Sequence, residues 1–347
     1  MISLELLRWV VRAEAVALVL ALVAVVGHVA WRAWADPRRE RRLAAARERL
    51  AAALAAGAAP TDVATALTGL PQAHALELLA EYAPVLAGAE RASLARVGAD
   101  AGLVAAGARQ ARARRWPTRL QGARVLTVVG GGDDVMPDLL DDRRPEVRAQ
   151  ASAWAVDHAT PDVVRRLVRH ASAADPGNRF AVQDALVRLG PAAVGPLVPA
   201  LDAASGAAAE RLLEVCVPLA DRAFAPAALR LLDDPLPATR ARAATLAART
   251  AIDDAADELV ALLDDPEPVV RAAACRALGE AQHWPAGARL RAALADPVWT
   301  VRHAAGEALE RLGPAGTLLL RRTLDDGAPA ARDMARRMLA LPAGGRA

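Results

Sequence analysis

Apolar residues in the second half of the chain recur at helical spacing, in short runs separated by proline, glycine and aspartate. Residues 265–280, "DPEPVVRAAACRALGE", and residues 296–311, "DPVWTVRHAAGEALER", show the same order of residue types. In each run an alanine follows an arginine by three positions and a leucine follows it by seven. These positions share one helical face, so the pattern predicts amphipathic helices.

The arginine in these runs marks an internal repeat. Arginines in phase with it stand 29 to 32 residues apart, at Arg148, Arg179, Arg211, Arg240, Arg271, Arg302 and Arg332, with a weaker match at Arg119. A nearly constant period of about 30 residues is the signature of a solenoid. Five aspartates stand six positions before one of these arginines: Asp142, Asp234, Asp265, Asp296 and Asp326.

Each repeat predicts a pair of helices. The Asp-Pro pair is expected to start the first helix, because aspartate accepts free N–H groups at a helix start and proline is tolerated in the first turn. Glycine, at Gly190, Gly279 or Gly313, is expected to end the first helix, and proline begins the second. The second helices are then expected near residues 161–170, 193–201, 225–232, 255–263, 286–294 and 316–323. The predicted fold class is an all-α solenoid.

This pattern resembles HEAT repeats, specifically the short bacterial HEAT-like repeats also found in phycobilisome lyases. The resemblance covers residues 139–340, and residues 60–138 are expected to be degenerate helical repeats. It implies that the in-phase aspartates and arginines form a ladder between neighbouring first helices, with a structural role. The units of Arg179 and Arg211 lack the aspartate at six positions before, so the ladder is expected to break there.

The N-terminal part carries a different pattern. After a short tail, residues 1–12, residues 13–31 read "AEAVALVLALVAVVGHVAW" and are apolar on every face. Nineteen helical residues span about 28 Å, close to the ~30 Å hydrocarbon core of a bilayer. Residues 13–34 are therefore predicted to be a transmembrane anchor, with Trp9, Trp31 and Trp34 at the membrane interface. A buried core helix is a weaker interpretation of the same stretch.

Charge predicts the orientation of this anchor. Two arginines precede the apolar stretch and seven follow it by residue 49, which favours a cytoplasmic C-terminal side. Residues 35–59 are predicted to be a basic juxtamembrane helix, either simply solvated or held on anionic headgroups through Arg38, Arg39, Arg41 and Arg42. The alternative is a cleaved signal peptide, since Ala33 and Ala35 form an A-x-A pattern, although Trp31, Arg32 and Trp34 stand before that cleavage point.

Composition excludes several chemistries. All 43 basic residues are arginine, so the chain has no P-loop lysine and no Schiff-base lysine. The glycines of "VLTVVGGGDD", residues 125–134, fit a hairpin turn better than a nucleotide-binding turn, because Val135 stands where GxGxxG needs glycine. Cys216 and Cys275 have no metal-ligand spacing. His158 and His170 could approach each other across one hairpin near Asp157, but they are expected to be solvated surface residues and not metal ligands. No catalytic, cofactor-binding or metal-binding residues are assigned.

The sequence favours a membrane-anchored cytoplasmic scaffold that binds a protein partner of unknown identity. The family resemblance adds that it could be an accessory of a membrane enzyme such as a glycosyltransferase. An acidic segment of the partner is expected on the second helices, with Trp284 and Trp299 as possible anchors and with Arg165, Arg166, Arg169, Arg230, Arg289, Arg291, Arg321 and Arg322 as the main contacts.

Two other functions stay open. A subunit of a bilin-lyase-like enzyme would need a second subunit and a tetrapyrrole, which the genome neighbourhood would reveal. A nucleic-acid-binding HEAT-like protein would need a continuous basic surface, and Asp257 and Glu258 interrupt the basic residues here. A small-molecule substrate is not expected. Residues 341–347 are assigned as a tail.

Overall fold

The computed structural model describes residues 44–52, 75, 78, 102–173 and 175–340. The predicted tail, residues 1–12, the predicted anchor, residues 13–34, and its interface residues lie outside these ranges. Within them, no helix has both the length and the apolar character needed to cross a membrane. The chain divides into two compact units, Met1–Gly132 and Asp133–Ala347.

The first unit contains a closely packed helix hairpin. Helix α1 (Leu103–Ala111) precedes helix α2 (Trp116–Val129). A Cβ atom added at Gly122 of α2 would lie 2.3 Å from the backbone nitrogen of Ala111, so only glycine permits this approach. The glycines of residues 130–132 follow α2 directly and have positive φ angles, so they end a helix. Of the predicted juxtamembrane segment, residues 44–52 are described and are helical.

The second unit begins with the short helix α3 (Met136–Leu139) and continues as alternating first and second helices. In chain order these are α4 (Pro145–Ala155), α5 (Pro161–Ser172), α6 (Arg179–Leu189), α7 (Pro191–Ala203), α8 (Gly206–Leu219), α9 (Ala225–Arg230), α10 (Pro237–Thr250), α11 (Ile252–Ala261), α12 (Pro268–Glu280), α13 (Gly287–Ala293), α14 (Trp299–Arg311), α15 (Pro314–Asp326) and α16 (Pro329–Ala340). Even-numbered helices from α4 onward are the first helices of the hairpins. The predicted all-α solenoid is confirmed for this unit.

Consecutive first helices pack against one another through small side chains. Ala273, Ala274 and Cys275 of α12 are buried, and burial raises the pKa of the Cys275 thiol to about 12. The distance between neighbouring helices is short, because the small residues leave little side-chain volume between the backbones. The core of the unit therefore includes the seam of first helices, and leucines of the second helices, such as Leu197 and Leu259, are buried as well.

The expected role of Gly279 was wrong. Gly190 and Gly313 do end first helices, with φ angles of 57° and 67°, but Gly279 lies inside α12. A Cβ atom added there would lie 2.6 Å from the Cα of Ala308 in α14. This glycine therefore permits close helix packing, and Gln282, with a φ of 52°, takes the left-handed conformation in the turn that follows α12.

The expected helix start was also misplaced. Asp265 does not lie in the first turn, since α12 begins three residues later at Pro268. Its carboxylate instead accepts the N–H of Glu267 at 2.8 Å, which closes the turn before the helix. The second proline of the Asp-Pro-x-Pro sequence opens the helix, because its fixed φ suits the first helical position. This arrangement leaves the rest of the carboxylate free for a neighbouring repeat.

Candidate partner-binding surface

The first helices are joined by arginine–aspartate bridges. The Nε of Arg240 donates to one oxygen of Asp265 at 2.8 Å, and its Nη2 donates to the other at 3.0 Å. The Nη1 of the same guanidinium donates to the carbonyl oxygen of Asp234 at 2.8 Å. One side chain thus fixes the turn before its own helix and holds the corresponding turn of the next repeat.

Arg271 repeats this geometry one unit later. Its Nε and Nη2 donate to the two oxygens of Asp296 at 2.8 and 3.0 Å, and its Nη1 donates to the carbonyl oxygen of Asp265 at 2.9 Å. Burial alone would raise the pKa of Asp296, but the hydrogen bonds from Arg271 and from the N–H of Val298 outweigh it. The pKa therefore lies below its usual value, and the same balance, with Arg240 and the N–H of Glu267 as donors, lowers the pKa of Asp265.

Upstream, the ladder uses a residue that the sequence pattern missed. Arg148 donates to the carboxylate of Asp175, which stands four positions before Arg179 and not six. Asp142 closes its own turn by accepting the N–H of Arg144 at 2.9 Å. Because the turn before α6 differs in length from the others, the partner aspartate falls out of the repeat phase.

The expected break occurs at Arg179 and Arg211, and other contacts fill it. The carboxylate of Glu214 on α8 accepts hydrogen bonds from Arg179 and Gln183 of α6 and, at 2.8 Å, from Arg242 of α10. Burial raises the pKa of Glu214, but these donors outweigh burial and lower it overall. Glu214 therefore connects three consecutive first helices, and no residue in the repeat phase marks it.

The remaining residues at the break bind backbone groups. Arg211 donates through Nη2 to the carbonyl oxygen of Ser172 at 2.7 Å, so it does not reach the next aspartate. That aspartate, Asp234, accepts the N–H of Gly206 at 2.8 Å and the N–H of Leu236 at 2.9 Å. The predicted ladder role of Arg211 is thus replaced by a bond to the carbonyl that ends a second helix.

The last predicted rung is wrong. Asp326 forms its ion pair with Arg291 of α13 and not with Arg302. Helix α15 continues through Asp326 and is capped at Gly327, so Asp326 lies in the helix and not in the turn after it. Its carboxylate therefore meets Arg291. Arg302 keeps its own turn, donating through Nη1 to the carbonyl oxygens of Asp296 and Pro297 at 2.8 and 2.9 Å. Arg332 lies on the final helix, α16.

On the second-helix surface, the basic residues of α5 surround acidic ones. Arg166 lies 3.1 Å and Arg169 also 3.1 Å from carboxylate oxygens of Asp141, and His170 Nε2 lies 2.7 Å from the same group. Arg165 lies at a longer 3.5 Å from Asp162. Arg165 and Arg169 still have 62% of their side-chain surface exposed, so this cluster is accessible while its charge is largely balanced.

The arginines of α9 and α13 also have partners within the chain. Arg230 donates to the carbonyl oxygens of Leu201 and Ala204, at 2.8 and 3.0 Å, at the end of α7. Arg289 pairs with Asp264, and Arg291 pairs with Asp326 and donates to Thr323 Oγ1. These candidate residues connect neighbouring hairpins, which the sequence could not show.

Charge differs from one second helix to the next. Arg321 and Arg322 of α15 are exposed, and so are Asp257 and Glu258 of α11. Helix α7, "PAAVGPLVPALDA", carries a single charged residue. The two candidate tryptophans are accessible, with 73% exposure for Trp284 and 47% for Trp299. The surface therefore does not repeat as the seam does.

The described residues offer little for small-ligand chemistry. A cleft of about 270 Å³ between α9, α10 and α11 is lined by Arg222, Arg249, Ile252, Asp253 and Asp254, among others. In the part of the chain that the structure describes, no three His, Cys, Asp or Glu side chains are grouped to hold a metal ion. His158 stacks on the buried ring of Trp154 at 4.5 Å.

Comparison with known proteins finds a family match in the second unit. The sequence model of HEAT repeats matches residues 224–310 and again residues 256–340. No curated protein matches the chain.

Solved structures that match the chain include an engineered protein, at 19% identity over 88% of this chain and 94% of that one, with a TM-score of 0.41. The complex of CpcE and CpcF of phycocyanin lyase from Nostoc sp. PCC7120 matches at 18% identity over 60% of this chain and 95% of that one, with a TM-score of 0.38. Kap121p matches at 13% identity over 90% of this chain and 47% of that one, with a TM-score of 0.42.

Removing one bridge should destabilise the seam. In Arg271→Ala the largely buried carboxylate of Asp296 loses both guanidinium donors, and the turn before α12 loses the bonds from Nη1 to the carbonyl oxygens of Asp265 and Pro266. We expect a loss of about 2–3 kcal/mol, seen as a lower midpoint in urea followed by circular dichroism. Arg276→Ala, on the same helix but exposed, is the matched control. An equal shift in both variants would contradict the assigned role.

The bridges should also make the seam acid-sensitive. Because the pKa of Asp296 is lowered in the folded chain, its ionic contribution is complete above the unfolded value, near 4, and is lost as pH falls through the lower folded value. The stability advantage of the wild type over Asp296→Asn should therefore be largest above about pH 5 and shrink toward pH 2. Asp325→Asn, at an exposed carboxylate, should show a much smaller difference. A gap between wild type and Asp296→Asn that does not change from pH 7 to pH 2 would contradict this reasoning.

Proposed function

We propose that this chain is a membrane-anchored, non-enzymatic HEAT-repeat scaffold whose second helices bind an acidic segment of a protein partner in the cytoplasm. One observation carries the proposal: exposed charge on the second helices differs from hairpin to hairpin, whereas Arg240 and Arg271 of the first-helix seam form the same bridge in successive units. A contact that serves stability can be the same in successive units. A surface that recognises one partner needs a different set of groups at each position.

The form of the surface supports a macromolecular partner. Stacked helix pairs offer an extended row of side chains, and repeat proteins use such surfaces for recognition. The cleft of about 270 Å³ is at the small end for a substrate pocket and carries both acidic and basic side chains. Contacts spread along several hairpins are therefore a better basis for function than this single cleft.

The candidate arginines differ in exposure and in whether they already bind a carboxylate of the chain. Arg321 and Arg322 are exposed on α15, and Arg165 and Arg169 keep most of their side-chain surface in solvent. Arg289 and Arg291 already bind carboxylates of the chain, so changing them would disturb the fold as well as the surface. A partner is expected to use the first group most directly.

The binding surface can be tested by charge reversal. The double variant Arg321→Glu, Arg322→Glu should lose most of the partner recovered by affinity capture of the full chain from solubilised membranes, because two attractive contacts become repulsive. The control Arg276→Glu reverses an exposed charge on the first-helix side. Both variants should keep the wild-type circular dichroism spectrum. Recovery that survives the double reversal but fails in the control would place the partner on the other side.

The proposed anchor rests on residues 13–34 and on the excess of arginine after them. It places the N-terminus outside the cytoplasm and the repeats inside. A reporter active only in the cytoplasm, fused after residue 347, should therefore give signal, and a reporter active only in the periplasm should not. The reversed result would refute the orientation and favour the signal-peptide alternative. Replacing Arg38, Arg39, Arg41 and Arg42 with glutamate should reduce correct insertion.

A further inference from the structure

We propose that this chain forms a two-fold symmetric dimer, in which Trp284 of each copy inserts into the cleft between α9, α10 and α11 of the other copy. Trp284 has 73% of its surface exposed. The cleft has a volume of about 270 Å³, and exposed side chains, among them Arg222 and Asp254, line it. A large exposed ring and a cleft of matching size on one chain are the two halves of a self-complementary contact.

The cleft has the chemistry that an indole ring requires. An apolar cavity of about 150 Å³ holds benzene, so a cleft of about 270 Å³ has room for the larger indole. Ile252 supplies an apolar wall, and Arg222 and Arg249 supply guanidinium groups, which attract the face of a tryptophan ring. The indole N–H can only donate and usually finds an acceptor when it is buried. The carboxylates of Asp253 and Asp254 in the cleft are such acceptors.

The walls of the cleft are already held in place by contacts within the chain. Arg249 donates to the carboxylate of Glu280 at 3.2 Å and to the carbonyl oxygen of Val217 at 3.2 Å. The N–H of Asp254 donates to the carbonyl oxygen of Ala251 at 3.1 Å, which fixes the first turn of α11. A ring that enters the cleft therefore orders few side chains, so the entropy cost of binding is small.

The cleft and Trp284 lie at the same ends of neighbouring second helices, one repeat apart. Arg222 precedes α9 and Ile252 begins α11, so the cleft lies where these two helices start. Trp284 stands in the short 3₁₀ turn that leads into α13, the next second helix. Packed helices are about 8–10 Å apart, so the tryptophan and the cleft are close neighbours along this edge.

This placement identifies the occupant of the cleft as a second copy of the chain. A closed dimer needs one surface that carries both halves of the contact. A two-fold axis that crosses the edge between the cleft and Trp284 brings each tryptophan to the cleft of the other copy, so the same contact forms twice. Tryptophan that fills a pocket is among the residues that contribute most to interface affinity.

The dimer goes beyond the proposed function and does not depend on it. It uses the starts of α9, α11 and α13 and assigns Trp284 to a second copy, while the exposed arginines of α15 stay available to the partner. The double reversal of Arg321 and Arg322 should therefore leave the dimer intact. The two proposals can fail separately, because the first is measured by partner recovery and the second by the mass of the chain alone.

The test is the association state of the full chain, solubilised in a mild detergent and followed by sedimentation velocity over a wide range of concentration. The wild type should form a reversible dimer. Trp284→Ala should raise the dissociation constant of the dimer at least about 30-fold, the usual effect of removing an interface tryptophan that fills a pocket. The matched control Trp299→Ala removes an exposed indole from a first helix and should leave the constant within about two-fold.

Filling the cleft provides a second arm. Ala225→Phe adds a ring to a residue that lines the cleft and leaves Trp284 in place, so it should dissociate the dimer as Trp284→Ala does. An equimolar mixture of these two variants should regain a dimer, because Trp284 of the filled chain can enter the open cleft of the other. This mixed dimer should be weaker than the wild type, since only one of the two contacts forms. Both variants should keep the wild-type circular dichroism spectrum.

Three results would overturn the proposal: a wild-type chain that stays monomeric, equal effects of Trp284→Ala and Trp299→Ala, or a mixture that associates no more than either variant alone. If the wild type is monomeric and Trp284→Ala abolishes the recovery of a different protein by affinity capture, the contact belongs to that protein. The assignment of the cleft to a second copy is then wrong.

Discussion

The bridge from an arginine to the aspartate of the next repeat fixes the seam of first helices where it forms, at Arg148, Arg240 and Arg271. Its strength comes from the division of one guanidinium between two turns: Nη1 holds the turn before its own helix, and Nε with Nη2 hold the next. In Arg271 these are the carbonyl oxygen of Asp265 and the carboxylate of Asp296. These hydrogen bonds fix the position of one first helix relative to the next. Alanine and glycine meet at a point of closest approach in the seam, where Gly279 faces Ala308.

The sequence predicted the period, the pairing of helices and the approximate second helices, since these depend on residue spacing within one unit. It misplaced features that depend on the length of a turn. The helix start moved by three residues because Asp265 closes a turn before Pro268 opens the helix. Asp326 left the ladder because α15 is capped one residue later than the pattern requires. Asp175 takes part in the ladder, outside the repeat phase, because the turn before α6 also differs in length from the others.

The candidate surface was less predictable than the fold. Composition shows that arginines crowd the second helices, but their partners lie far away along the chain: Arg166 meets Asp141 across a separation of 25 residues, and Arg291 meets Asp326 across 35. No local pattern gives such pairs. Glu214 illustrates the same limit on the seam, where one acidic residue outside the repeat phase receives donors from two neighbouring helices. Exposure, which separates Arg321 and Arg322 from the paired arginines, is likewise a tertiary property.

The glycines of the seam indicate that its helix–helix contacts differ in how much substitution they tolerate. At Gly279 the obstacle to a side chain is the Cα of Ala308, at 2.6 Å, so shrinking the opposite side chain cannot create room. At Gly306, in the next joint, the obstacle is the flexible thioether side chain of Met338, whose Cγ would lie 2.8 Å away. Among homologues, position 279 should stay glycine whatever its neighbours, whereas position 306 should be free to enlarge when position 338 changes with it. The distance between neighbouring first helices is therefore set by the backbone where α12 meets α14, and it can change with side-chain size where α14 meets α16.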